Sequence, residues 1–295
     1  MEKLKRKLGL YCFMRKYLVI LAAVIMVSVA AGLSFEGIFT QQQTGTVALI
    51  ELSGTISPSS SGFSSGMTPE YIRDLNEEAM KRNVDAVVYE INSGGGAVVA
   101  SKDVRRSIES VDVPTVCRIR DVGASGAYLF SLGCDSIVAD SASITGSIGV
   151  TSSYIEFSDL MDEIGVGYVN ITAGENKEVG SPYKKPTDEE KQILKEKADI
   201  IKEEFLGEVS EERNLTNQQE EIIGTGEIFL GSEAKELNLV DKLGGRSAAI
   251  EEAGNLTDRE LRPVEIQKEP SFSLLSLFMP GLDIGGKSPI SASLN

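Results

Sequence analysis

The sequence predicts an α/β protein with a mostly parallel sheet covered by helices, preceded by one transmembrane helix. Residues 17–33 (YLVILAAVIMVSVAAGL) contain no charged side chain, and strand-like and helix-like patterns alternate from residue 47 to residue 140. An uncharged run of this length can span a bilayer, although its length is near the lower limit for a transmembrane helix. Repeated βα units form parallel sheets with right-handed connections.

The N-terminal region predicts a single-pass anchor in the cell membrane. Residues 1–16 carry six basic side chains and one acidic one, so the positive-inside rule places them in the cytoplasm and the acidic remainder of the chain outside it. A cleavable signal peptide remains an alternative, because residues 28–30 (SVA) offer a cleavage site. We expect a cytoplasmic segment at 1–16, the anchor at 17–33, a linker at 34–45, a folded domain at 46–268 and a flexible apolar tail at 269–295.

The elements of the folded domain follow from local patterns. Short apolar runs such as DAVVYEIN indicate strands, and apolar residues repeated every three or four positions indicate helices. A Thr-Asp-Glu-Glu capping box at 187–190 opens a long amphipathic helix. The predicted order is strand 47–52, helix 68–82, strand 85–92, helix 97–110, strand 115–120, helix 125–133, strand 136–140, the long helix from 187, strand 227–230, helix 232–239 and strand 263–268.

The composition excludes several classes of function. The chain of 295 residues contains no histidine, which removes Ser-His-Asp and Cys-His relays and histidine-ligated zinc. A general base must therefore be Lys, Asp, Glu, Tyr or a terminal amine. The net charge of −15 disfavours nucleic acid as a partner, and no cofactor or metal is indicated. At most one disulfide is possible, between Cys117 and Cys134, and buried free thiols are the favoured expectation.

Two glycine-rich turns each follow a predicted strand and open a predicted helix: Asn92-Ser-Gly-Gly-Gly96 and Gly123-Ala-Ser-Gly-Ala127. Free backbone N–H groups at such turns can hold an oxyanion, although a simple tight turn explains each loop equally well. Ser125 lies among small neighbours, as a nucleophile does, but serine at a helix start also serves as a cap. Without histidine, a serine nucleophile needs a neutral lysine as its base. Lys177 is more isolated than the lysines of the charged runs, but its spacing alone does not assign it.

Several ordered motifs resemble the signal peptide peptidases of the serine-lysine type, also called protease IV, in their short form. They are INSGGGAVVAS, GASGAYLFSLGCDSIVAD, SITGSIGV, AGENKEVGSPYKKPTDEEK and GEIFLGSEAKELNLVDKLGG. The resemblance as a whole covers roughly residues 46–268. The resemblance implies the superhelix of repeated ββα units found in Clp protease and the crotonases. The sequence departs from the family at Gly94, where proline is usual, and at Glu227, where arginine is common.

The resemblance also implies the site residues and partners. Ser125 matches the nucleophile and Lys177 the general base, Gly95 or Gly96 would form the oxyanion hole with Gly126, and Thr145 or Ser147 could orient the lysine. Implied substrates are signal peptides and other apolar peptides beside the lipid bilayer. The implied assembly is a ring-like homo-oligomer that shares active sites between adjacent protomers. A protease that cuts the apolar tail of a stomatin-like partner, a crotonase-type acyl-CoA enzyme and an inactive scaffold remain alternatives.

Overall fold

The computed structural model describes residues 44–59 and 67–267. The predicted cytoplasmic segment, the anchor at 17–33 and the apolar tail at 269–295 lie outside these residues, and so does nearly all of the 34–45 linker. Within the two described stretches, no helix is long and apolar enough to cross a membrane.

One sheet organises the described chain. Its strands are β1 (Thr44–Ser53), β2 (Ala86–Ser93), β3 (Thr115–Ala124), β4 (Ser136–Ala139), β5 (Ile144–Gly146), β6 (Ile228–Leu230), β7 (Lys242–Leu243) and β8 (Glu260–Ile266). The main path runs β6-β5-β3-β2-β1-β8, and β4 joins β3 to β7. Every pairing is parallel except that of β5 with β6. Strand β3 pairs with β4 along its first half and with β5 along its second half, so the sheet divides at β3.

The helices cover the two faces of this sheet unequally. They are α1 (Pro69–Lys81), α2 (Val98–Glu109), α3 (Gly126–Ser131), α4 (Ser158–Glu163), α5 (Asp188–Arg213), α6 (Asn217–Ile223), α7 (Gly231–Glu236) and α8 (Arg246–Thr257). The larger core cluster lies where α1, α2, α3 and the C-terminal half of α5 bury residues such as Ile72, Val104, Phe130 and Phe205. On the other face, α8 packs Ala249 and Ala253 among strand residues. Each fully buried large aliphatic or aromatic side chain contributes about 1.5–3 kcal/mol.

The structure confirms the α/β prediction and most of the predicted elements. Thr187 caps α5 in the expected capping box with Glu190. Strand β3 is longer than predicted and runs to Ala124, so it ends directly at Ser125. The sequence patterns missed α4, α6 and α8 and the short strands β5 and β7. The brief elements among them are stabilised by their contacts rather than by their own periodicity, and α8 buries only alanines, Ala249 and Ala253.

The expectation of buried free thiols is wrong. Cys117 and Cys134 form a disulfide with their α-carbons 5.7 Å apart. Cys117 lies on β3 and Cys134 follows the end of α3, and the chain returns between them through the Ser125 turn. The strand and the end of the helix are therefore close enough for the bond, which closes a loop around Ser125.

Candidate functional site

The two glycine-rich turns lie side by side at the carboxyl ends of neighbouring parallel strands. Ser93, the last residue of β2, is in register with Gly123 near the end of β3. Ligands bind at this edge of open α/β sheets because the loops and helix N-termini converge there. The topology therefore brings together the two segments that the sequence singled out.

Ser125 occupies a strained turn between β3 and α3. Its backbone has φ 54° and ψ −125°, a conformation that costs a non-glycine residue about 1–3 kcal/mol. The N–H of Ser125 donates to the carbonyl of Gly146, at 2.8 Å, which holds the turn against β5. The side chain is half-buried, and its hydroxyl makes no hydrogen bond with any described residue. This is the strand-turn-helix geometry of a nucleophile elbow.

Backbone N–H groups of both turns lie next to Ser125. Gly126 is the first residue of α3, so its N–H has no acceptor within the helix. The α-carbon of Gly95 faces the same turn: a methyl group added there would lie 2.7 Å from the nitrogen of Gly126 and 3.0 Å from the β-carbon of Ser125. Gly96 is the next residue, and its N–H has no acceptor among the described residues. Of the three glycines that the resemblance implies for the oxyanion hole, Gly95 and Gly126 therefore lie beside the serine, and the nitrogen of Gly96 lies close to Gly126.

The two hydroxyl residues of the TGSIG stretch have different surroundings. Thr145 is completely buried and donates its hydroxyl to the carbonyl of Gly123, at 2.7 Å. Ser147 is half-buried, with φ 51°, and its N–H donates to the carbonyl of Glu227, at 2.7 Å. The Ser147 hydroxyl makes no hydrogen bond within the described part of the chain, so of the two it is the one free to meet a lysine.

Lys177 makes no hydrogen bond with Ser125 within the described residues of the single chain. It lies in a turn in which its N–H donates to the carbonyl of Gly174, at 3.3 Å. Its side chain is exposed and makes no ion pair or hydrogen bond with a described residue. The structure therefore brings together the serine and the glycines but not the lysine.

The segment that carries Lys177 has no core of its own. No residue from 151 to 187 is buried, and α4 within it buries nothing. Large apolar side chains are exposed along its length, with Ile155 at 72%, Val169 at 85% and Ile171 at 94% of their surface. So many exposed large apolar side chains within one segment make it a candidate interaction surface.

Two buried tyrosines are unsuitable as general bases. Burial raises the pKa of Tyr128, which follows Ser125 on α3 and donates its hydroxyl to the carbonyl of Leu239. Burial likewise raises the pKa of Tyr89, whose hydroxyl donates to Asn76. Both phenols stay neutral at physiological pH, and each already donates its proton to the hydrogen bond described above.

Sequence reasoning missed one contributor to the site. Ile56 lies in the loop after β1 and forms a parallel bridge with Gly96. Its N–H donates to the carbonyl of Gly95, and its carbonyl accepts from the N–H of Ala97, both at 3.0 Å. These contacts are made by the backbone, so the sequence carried no signal for them.

The comparison with models of protein families identifies one family. The model of Peptidase family S49 matches residues 108–260, which include the Ser125 turn and the Lys177 segment. The chain belongs to peptidase family S49. It is 32% identical over 220 residues to a Methanocaldococcus jannaschii protein named "Putative protease MJ0651", covering 73% of this chain and 70% of that relative.

The S49 chain is also similar to an Enterococcus faecium protein named "Putative signal peptide peptidase SppA". The two are 30% identical over 61% of this chain and 54% of the relative. Among solved structures, a membrane-bound stomatin-specific protease in complex with a substrate peptide aligns with a TM-score of 0.48 and 12% identity, over 80% of this chain and 98% of the other. The family and its protease relatives confirm the resemblance to the signal peptide peptidase and protease IV group and make the chain a serine peptidase.

Proposed function

We propose that this S49 peptidase is a membrane-anchored serine endopeptidase that degrades signal peptides and other apolar peptides with a Ser125–Lys177 dyad. The observation that carries the proposal is the strained Ser125 turn beside the free N–H groups of Gly96 and Gly126. A hydroxyl in this position can attack a peptide carbonyl whose oxygen lies against those donors.

The general base is Lys177 of an adjacent protomer. This lysine has no partner among the described residues of its own chain, and it lies on the exposed apolar segment 151–187. Packing that segment against a second copy would bury its apolar side chains and desolvate the lysine. Desolvation favours the neutral amine, which is the form that accepts a proton.

The reaction then follows from the donors and acceptors of the site. Neutral Lys177 takes the proton of the Ser125 hydroxyl as its oxygen attacks the substrate carbonyl. The N–H groups of Gly96 and Gly126 stabilise the oxyanion, and the protonated lysine passes its proton to the leaving amine. Water then hydrolyses the acyl-enzyme by the same steps. Ser147 is the hydroxyl best placed to orient the lysine amine.

The sequence supports the membrane location and the wider fold. The uncharged run at 17–33 and the basic residues before it would anchor the protein with its catalytic domain outside the cytoplasm. An anchor raises the effective concentration of peptides left in the same bilayer. Division of the sheet at β3, which pairs with β2, β4 and β5, supports the superhelix of ββα units.

The dyad is tested on the full chain in detergent or vesicles. Wild type should hydrolyse a quenched fluorescent apolar peptide and be labelled by a fluorophosphonate at Ser125. Ser125→Ala and Lys177→Ala should each lose at least about 1,000-fold in kcat, since nucleophile and base act as a unit. Lys195→Ala is the matched control, because that exposed lysine pairs with Asp199 on the same helix, α5. Wild-type activity in Lys177→Ala, or no labelling in wild type, contradicts the proposal.

A substrate panel separates the alternatives. An apolar signal peptide should be cleaved faster than the apolar tail of a stomatin-like protein, and an acyl-CoA thioester should not react. Preference for the stomatin tail would select the second protease function. Thioester turnover would select the crotonase function, which family membership disfavours.

A further inference from the structure

The loop between β2 and α2 contains a buried hydroxyl that the proposed mechanism does not use. Ser93 ends β2 and is only 3% exposed. Its Oγ accepts a hydrogen bond from the N–H of Gly95, at 3.1 Å. A buried N–H without a partner costs about 1–3 kcal/mol, so this bond specifies one orientation of the peptide between Gly94 and Gly95.

Neighbouring backbone bonds fix the rest of the loop. The carbonyl of Gly95 accepts from Ile56, and the N–H of Ala97 donates to Ile56. Gly95 itself has φ 99°, which a residue with a side chain rarely adopts. Ser93 and Ile56 therefore bind the polar groups on both sides of the Gly96 N–H, and that N–H has no acceptor among the residues that the structure describes.

The unpaired N–H of Gly96 lies close to the start of α3. The nitrogen of Gly96 is 3.3 Å from the position that a β-carbon on Gly126 would take. Gly126 presents its own free N–H as the first residue of the helix. Two donors this close can converge on one oxygen atom, whereas the N–H of Gly95 is already bonded to Ser93.

We propose that Ser93 is a positioning residue for the oxyanion hole. Its hydroxyl binds the N–H of Gly95, which assigns the donor role to Gly96 rather than Gly95. The assignment rests on the proposed peptidase mechanism. Without the hydroxyl, the peptide preceding Gly95 loses the bond that fixes it, and the Gly96 donor is misplaced when the oxyanion forms.

The test compares Ser93→Ala with wild type in the full chain. With concentrations normalised by fluorophosphonate titration, kcat for an apolar peptide should fall by about 10- to 100-fold with KM within about twofold, because the lost interaction acts on the transition state. A peptide aldehyde forms a hemiacetal with Ser125, and the hemiacetal oxygen accepts hydrogen bonds from the same N–H groups of Gly96 and Gly126. Its Ki should rise by the same factor as kcat falls.

Ser136→Ala is the matched control, because Ser136 is equally buried, at 3%, and lies on β4 away from the turns. It should leave kcat per titrated site and the aldehyde Ki unchanged. An unchanged aldehyde Ki in Ser93→Ala, or the same losses in Ser136→Ala, overturns the positioning role. If wild type is inactive, the peptidase proposal and this inference fail together. If wild type is active and Ser93→Ala behaves like wild type, this inference alone fails.

Discussion

At the scale of single residues, the site is defined by how closely two backbones approach. Gly95 lies against Ser125 and Gly126, and Gly96 lies against the backbone of Ile56, where an added methyl group would come within 2.1 Å of a carbonyl oxygen. Neither position has room for a side chain. The neighbouring Gly94 is different, because no atom of the described residues lies within 4 Å of a methyl group added there.

We therefore predict opposite results for two adjacent glycines. Gly95→Ala should lower kcat by roughly 100-fold or more and destabilise the fold by about 1–3 kcal/mol, because it combines a positive φ with contact at the nucleophile turn. Gly94→Ala should change stability by less than about 0.5 kcal/mol and leave activity near wild type. Peptide hydrolysis and urea unfolding measure both. Equal effects of the two substitutions would show that the loop has a different conformation.

At the scale of secondary-structure elements, an ion-pair cluster joins two strands to α8. Glu90 on β2 is 3% exposed and accepts hydrogen bonds from Arg118 on β3 and Arg246 at the start of α8. Burial by itself raises the pKa of the Glu90 carboxyl. The hydrogen bonds and charges of Arg246 and Arg118 outweigh burial and hold that pKa below its ordinary value.

The cluster should make stability depend on acid pH. Because the folded-state pKa of Glu90 lies below the unfolded-state value of about 4.3, the unfolded chain binds more protons in acid. The contribution is therefore present above that value and is lost as the pH falls through the folded-state pKa. Glu90→Gln should cost about 1.5–3 kcal/mol at pH 7, and the difference from wild type should shrink below about pH 4.

Urea unfolding at several pH values measures this dependence. Glu51→Gln is the control, because Glu51 lies opposite Glu90 on β1 and pairs with Arg120, but its side chain is 64% exposed. An exposed pair contributes about 0–1 kcal/mol. A difference between wild type and Glu90→Gln that stays constant from pH 7 to pH 3 would contradict the role assigned to the Glu90 carboxylate.

At the scale of the whole molecule, the serine and the lysine belong to differently folded regions. Ser125 and the glycines lie at the carboxyl ends of the buried strands β2 and β3. Lys177, in contrast, lies in a segment without a buried residue. A second copy of the chain is the partner that we propose for that segment. One site would then take its serine from one protomer and its lysine from the next.

Mixing two inactive variants tests this sharing. Ser125→Ala and Lys177→Ala, coexpressed in equal amounts, should recover roughly a quarter of wild-type activity if assembly is random, because one interface in four pairs an intact serine with an intact lysine. Each variant alone should stay inactive. If each site were completed within one chain, the mixture would be as inactive as its components.

Much of the fold was predictable because the strands and long helices carry strong local patterns. The apolar strand segment DAVVYEIN lies between two segments with helical periodicity. The capping box at Thr187 marks the start of α5 within a residue. The short elements β5, β7 and α6 were not predictable, since their stability comes from neighbours distant in sequence. The disulfide was misjudged for the same reason: the sequence gives the spacing of two cysteines, but only the folded turn brings Cys117 and Cys134 together.

The sequence by itself determined the class of chemistry. A chain without histidine cannot use an imidazole base, and its ordered motifs point to a serine with a lysine. Only the tertiary structure decided which backbone groups surround Ser125, because close approach between β2 and β3 depends on register and hydrogen bonds rather than on residue type. It also showed that, within the described residues, the N–H of Gly95 is bound to Ser93 whereas that of Gly96 has no acceptor, and that the hydroxyl of Thr145 donates to Gly123 whereas that of Ser147 has no partner.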